Sequence, residues 1–199
     1  MSGEAEAGTQ SRRRFLQTAA GAAAAFVLAG CTSHKKAARG ALTYPREPAF
    51  GEKIEAGSLD HILANIDDKH APYYVPAARA YVSRFPAADV AAAKAYYPDA
   101  LQPSLDAGII VLYQRCTHLG CRVPFCNSSQ YFECPCHAAM FDRVGEYRAG
   151  PAPRGLDLMP ASVDDGQLVI DSGAIVTGLP RGANSTHQQP TAPFCVGRS

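Results

Sequence analysis

The spacing of apolar residues changes from segment to segment along this chain, and each spacing predicts an element. Leu59, Ile62, Leu63 and Ile66 fall on one face of a helix, with Ser58 placed as its N-cap. The stretch "APYYVPAARAYVSRFP" has the aromatic and β-branched content of strands, punctuated by prolines. "PAADVAAAKAYY" predicts a short helix, and "AGIIVLYQR" predicts a buried strand that runs straight into Cys116. Five short apolar stretches follow, "QYFECP", "MFDRVGEY", "LDLMPASV", "GQLVID" and "AIVTG", separated by Gly, Pro and Asp turns. Short strands with frequent turns predict a mostly β, antiparallel fold, with short helices inserted before a small subdomain rich in cysteine.

The flanks lack such periods. Residues 32–50 are small and polar with two prolines and read as a flexible tether. Residues 181–199 read as a patternless tail that nonetheless carries Cys195. At the other end, three arginines precede an apolar run that is too short and too alanine-rich for a membrane span, which needs about 20 apolar residues. Residues 1–31 therefore read as a targeting segment. Ser11-Arg12-Arg13-Arg14-Phe15-Leu16 resembles the twin-arginine export motif. Leu28-Ala29-Gly30-Cys31 resembles a lipobox, which implies a lipid on Cys31; an uncleaved anchor helix is the competing reading. Either would place the chain on the outer face of a bacterial cytoplasmic membrane. Twin-arginine export carries folded proteins, so a cofactor inserted before export is expected. Net charge is +1, and removing residues 1–31 takes away three Arg and two Glu, which leaves none. No basic stripe of the kind nucleic acid requires is present.

Seven cysteines are too many for an ordinary domain without a metal or redox role. Cys116 and His118 are one residue apart, Cys134 and His137 two apart, so two loops each offer one thiolate and one imidazole. A structural zinc site is the first alternative, but zinc sites favour C-x₂₋₄-C knuckles and a C-x-H pair is awkward around one tetrahedral ion. A two-iron cluster removes the difficulty, because thiolates can serve one iron and imidazoles the other. His34, His61, His70 and His187 have no partners at metal spacing and read as surface histidines. No phosphate-binding glycine loop, nucleophile elbow or haem-attachment motif is present.

"CTHLGC" and "CPCH" resemble the two cluster-binding loops of Rieske iron–sulfur proteins of the cytochrome bc type, and Gly150-Pro151-Ala152-Pro153 resembles that family's proline loop. The similarity covers at least residues 108–171 and assigns the Rieske domain to residues 51–180, with cluster loops at 116–121 and 134–142 and the proline loop at 150–153. It implies that Cys116 and Cys134 bind the inner iron of a [2Fe–2S] cluster and His118 and His137 the outer iron. It implies a disulfide between Cys121 and Cys136, a pair that Rieske oxygenases lack, and a Leu119 that covers the cluster. Cys126 and Cys195 remain, as two unrelated thiols or as a second disulfide pinning the tail. A bond closing a loop of that length would stabilise by about 4 kcal/mol in the chain-entropy model.

Relatives that oxidise quinols carry Ser and Tyr hydroxyls that donate to sulfur where this chain has Ala139 and Phe141. Loss of both donors predicts a lower reduction potential and imidazoles that hold their protons more tightly. Ala138 stands at a glycine position, so the backbone there is expected to suit a Cβ. The resemblance implies the iron–sulfur subunit of a cytochrome bc-type quinol oxidoreductase with no independent catalysis. It would take electrons from a quinol, menaquinol given the low potential, and pass them to a cytochrome beside cytochrome b. The alternatives are an electron-transfer subunit of another exported oxidoreductase, of arsenite-oxidase-like type, and a stand-alone lipid-anchored carrier.

Overall fold

The structure, a computed structural model, describes residues 50–197. Arg12 to Leu16, Cys31 and nearly all of the tether lie outside the described residues. Among the described residues, ten strands form three antiparallel sheets, accompanied by three α-helices. The first sheet joins β1 (Lys53–Ser58), β10 (Gln167–Asp171) and β9 (Ala161–Asp164) in the order β1-β10-β9. The second joins β2 (Tyr73–Val75), β3 (Ala80–Arg84) and β4 (Ile109–Tyr113). The third is the small subdomain that follows β4. It runs β5 (Phe125–Cys126), β6 (Tyr131–Glu133), β7 (Met140–Phe141), β8 (Tyr147–Ala149) in sequence order.

The predicted helix forms as α1 (Leu59–Lys69), with Ser58 accepting from the His61 N–H and Ile62 and Ile66 fully buried. The proline-punctuated stretch forms the β2–β3 hairpin, with Tyr73 opposite Val82. "PAADVAAAKAYY" yields only one helical turn, α2 (Val90–Ala93), because Pro98 and a loop that buries Tyr97 end it. Three features depart from the sequence expectations. β1 is a strand although Ile54 is its one buried large side chain; pairing with β10 supplies the ladder, with a register shift between Glu55 and Gly57. A further helix, α3 (Gln102–Asp106), takes Pro103 in its first turn, where a missing N–H costs nothing. "AIVTG" forms no strand: Val176 makes only an isolated bridge with Leu158, and Pro160 confines the preceding strand to its second half.

Four consecutive residues of β4, Ile109 to Leu112, are fully buried, as expected for a central strand covered on both faces. Ile109 and Val111 pack with α1 and the first sheet, while Ile110 and Leu112 pack with Phe132 and Phe141 of the subdomain. One strand thus carries both cores, each fully buried Ile or Leu contributing about 1.5–3 kcal/mol. It also aims its C-terminal end at Cys116. Among the described residues no helix is long and apolar enough to cross a membrane.

The described residues after 180 form neither helix nor strand, but they are bonded along their length. The Ser185 N–H donates to Glu146, Tyr131 Oη donates to the Gln188 carbonyl at 2.8 Å, and the Val196 N–H donates to Glu133 Oε2 at 2.7 Å. Cys126 and Cys195 are joined in a disulfide with Cα atoms 5.8 Å apart. At the other boundary, Phe50 stacks on Tyr113 with ring centroids 5.6 Å apart.

Candidate metal centre

Each cysteine loop is the same six-residue turn. In the first, the Cys116 N–H donates to the Cys121 carbonyl and the Gly120 N–H to the Cys116 carbonyl, both at 2.8 Å. In the second, the Cys134 N–H donates to the Ala139 carbonyl at 2.8 Å and the Ala138 N–H to the Cys134 carbonyl at 3.0 Å. The fifth residue of each turn has positive φ, +78° at Gly120 and +55° at Ala138. The expectation that the backbone at Ala138 suits a Cβ is therefore corrected. The position keeps the left-handed conformation of its glycine counterpart, and an L-residue occupies it at a cost.

The turns bring together the residues singled out in the sequence. Cys116 and Cys134 are free thiols, 4% and 2% exposed. His118 is half-buried, His137 is exposed, and their rings meet edge to face with centroids 4.9 Å apart. Cys121 and Cys136 form a disulfide that ties turn to turn, with Cα atoms 6.7 Å apart. Burial pushes the Cys116 thiol up to about 11; the Cys134 thiol beside it adds to the rise, and the backbone N–H groups of His118 and Leu119 pull it back. A buried thiol of that kind becomes a thiolate only with a cation against it, so loading the site releases protons. Two buried thiols beside a half-buried and an exposed histidine fit a group that is soft and sulfur-bound inside and nitrogen-bound towards the surface.

Leu119 is 69% exposed at the tip of the first turn. Ala139 and Phe141 are fully buried and apolar, and Phe141 lies opposite Phe132 and Tyr147. Gly150 approaches the second turn so closely that a Cβ there would lie 2.6 Å from the Ala138 carbonyl oxygen and the Ala139 Cα. Pro151 and Pro153 are exposed and Ala152 is buried between them.

Three contacts around the site were not singled out in the sequence. Thr117 Oγ1 donates to the Arg154 carbonyl at 2.9 Å and ties the first turn to the chain beyond the proline loop. Its position between Cys116 and His118 was a usable signal. Tyr147 and Arg181 both bond the proline loop, and nothing local in the sequence announces either role. Among the described residues, His61, His70 and His187 belong to no group of side chains placed to hold a metal ion, and His34 lies outside the described residues.

Known proteins resemble this chain over the stretch that holds both cysteine turns. Residues 88–160 match the family model described as Rieske [2Fe–2S] domain. A 55-residue stretch is 46% identical to the cytochrome b6-f complex iron–sulfur subunit of Gloeobacter violaceus and covers 28% of this chain and 30% of that one. The corresponding subunit of Trichodesmium erythraeum is 50% identical over 55 residues, 28% of this chain and 31% of that relative. The matched stretch thus spans less than a third of either relative. Among solved structures, the plasma-membrane Rieske protein PetC3 of Synechocystis PCC 6803 aligns with a TM-score of 0.39 at 22% identity, over 59% of this chain and 97% of that one. Beside the two matched cysteine turns and their buried thiols, the match over residues 88–160 means that this stretch of the chain is a Rieske [2Fe–2S] domain homologous to that of cytochrome b6-f iron–sulfur subunits.

Proposed function

We propose that Cys116 and Cys134 hold the inner iron of the cluster, that His118 and His137 hold the outer iron, and that the chain passes electrons from a quinol to a cytochrome as the iron–sulfur subunit of a cytochrome bc-type complex. The observation that carries this reading is the asymmetry of the donors: both thiols are buried, whereas His137 is exposed and His118 half-buried. When bound, the cluster takes up and releases one electron. The chain does the rest. The disulfide between Cys121 and Cys136 keeps the two turns in register. The buried thiols sit apart from water, and the ring nitrogen left free on His118 or His137 would, when unprotonated, accept a hydrogen bond and then the proton from a quinol hydroxyl, so that the proton moves with the electron.

The low-potential reading rests on Ala139 and Phe141, which place no hydroxyl near the sulfurs. It puts the midpoint in the lower half of the Rieske span of about −150 to +300 mV, and menaquinol is the matching donor. Turnover of the membrane-bound protein with menaquinol and ubiquinol analogues tests this. Faster reduction by the menaquinol analogue is expected; a preference for ubiquinol, or reduction by neither, contradicts it. Reduction by neither would favour an arsenite-oxidase-like partner or a stand-alone carrier.

Export by the twin-arginine route and anchoring on the outer face of the membrane are part of the same reading, supported by the motif at Arg12 and Arg13 and by the lipobox-like Cys31. Arg12→Lys with Arg13→Lys should trap the protein inside the cell. Cys31→Ala should release it from the lipid anchor; an unchanged, uncleaved, membrane-bound product would point to an anchor helix instead.

A further inference from the structure

The proline loop has few means of holding itself. Pro151 and Pro153 have no N–H, so carbonyl oxygens are its main handles. The segment beyond the subdomain grips those handles. Arg181 Nε donates to the Ala152 carbonyl at 2.7 Å, and its Nη2 donates to the Gly150 carbonyl at 3.2 Å. Tyr147 Oη donates to the same Gly150 carbonyl at 2.6 Å. The Arg181 guanidinium lies 4.5 Å above the centre of the Tyr147 ring, so the two gripping side chains also hold each other. The backbone around Arg181 is fixed as well: the Gly155 N–H donates to the Leu179 carbonyl at 2.8 Å, and Pro180 bridges Arg154.

The gripped loop sits directly on the second cysteine turn. Gly150 meets Ala138 and Ala139 backbone to backbone, with no room for a single added carbon. A loop that shifts outward uncovers the turn holding Cys134 and His137.

We propose that Arg181 is a positioning residue that, with Tyr147, locks the 150–153 loop onto the second cysteine turn and so sets the environment of the cluster. This rests on the ligand reading given above. The function belongs to the planar fork. One guanidinium reaches two carbonyls of one loop and stacks on a ring, which the single ammonium of a lysine does not reproduce.

The test uses the full-length, cluster-loaded protein with Arg181→Ala, Arg181→Lys and Tyr147→Phe. Hydrogen exchange is read at Ala138, whose N–H bonds the Cys134 carbonyl, and at buried Ala152. The EPR line shape and midpoint of the reduced cluster are read alongside. Both Arg181 variants should speed exchange at these two amides about tenfold and move line shape and midpoint in the same direction. Tyr147→Phe, which removes one bond and keeps the packing, should speed exchange by a smaller factor, about threefold. A lysine variant that matches wild type would show that charge, not grip, matters and would overturn the proposal. So would unchanged exchange in Tyr147→Phe, which stands even if Arg181→Ala fails to fold. A wild-type protein with no reduced-cluster signal would instead refute the ligand reading, while the exchange results would still judge the grip.

Discussion

The equivalence of the two cysteine turns makes Ala138→Gly a sharp test, because its counterpart in the other turn is already glycine. Ala138 has φ +55° and Gly120 has φ +78°, and each donates its N–H to the carbonyl of the cysteine that opens its turn. An L-residue in the left-handed region loses roughly 1–2 kcal/mol through the clash of Cβ with the following carbonyl. Glycine removes that clash but adds freedom to the unfolded chain, which offsets about 0.4–1 kcal/mol. The net expectation is a gain of about 0.5–1 kcal/mol, a rise of about 1–4 °C in the unfolding midpoint of a domain this size. The reciprocal change, Gly120→Ala, meets nothing closer than Arg115 Nη1 at 3.4 Å, so its cost is conformational and, after the same unfolded-chain offset, should be about 0.5–1 kcal/mol. Urea unfolding of the cluster-loaded protein with disulfides intact, followed by tyrosine fluorescence and cluster absorbance together, reads both. A destabilised Ala138→Gly would mean that the Cβ makes contacts worth more than the strain, and would rule out a net cost at this position.

Three further outcomes are expected. Ala139→Ser with Phe141→Tyr should raise the midpoint by tens of mV, as hydroxyl donors to sulfur favour the reduced cluster; redox titration of the double variant checks the sign. Cys195→Ser should lower stability by up to about 4 kcal/mol and loosen the segment beyond residue 180, visible as new proteolytic cuts near Gln188; free thiols at Cys126 and Cys195 in unreduced wild type would contradict the bond itself. Arg148 bonds the buried carboxylates of Asp142 and Glu146, so Arg148→Met should cost about 3–5 kcal/mol. Burial already pushes Asp142 up to about 6, with Arg148 opposing the rise. Without Arg148 the folded pKa climbs further above the ordinary 3.8, the folded state holds its proton more tightly, and stability falls as pH rises from about 4. The loss should therefore be smaller at pH 5 than at pH 7.5, and equal losses would contradict it.

Much of this arrangement is legible in the chain, and the reasons are local. The α1 face and the buried β4 strand follow from apolar spacing, because each buries a periodic face. The cysteine turns follow from ligand types at short separations. β1 escapes notice because its ladder comes from β10, more than a hundred residues away, and its own sequence has one buried large side chain. The departure at Ala138 escapes for a different reason: residue identity suggests a backbone that accepts a Cβ, while the hydrogen bonds of the turn impose the left-handed one. The work of the carboxy-terminal segment is illegible in principle from period, since Arg181, Ser185, Gln188 and Val196 act through single long-range bonds rather than a repeating face.

Pulsed EPR of the reduced protein grown with ¹⁵N-labelled histidine directly reads the proposed donor set of two thiolates and two imidazoles. Two histidine nitrogens should couple to a two-iron cluster, with one coupling lost in His118→Cys or His137→Cys if any cluster survives. A cluster signal free of histidine coupling, or coupled to a single histidine, would contradict it.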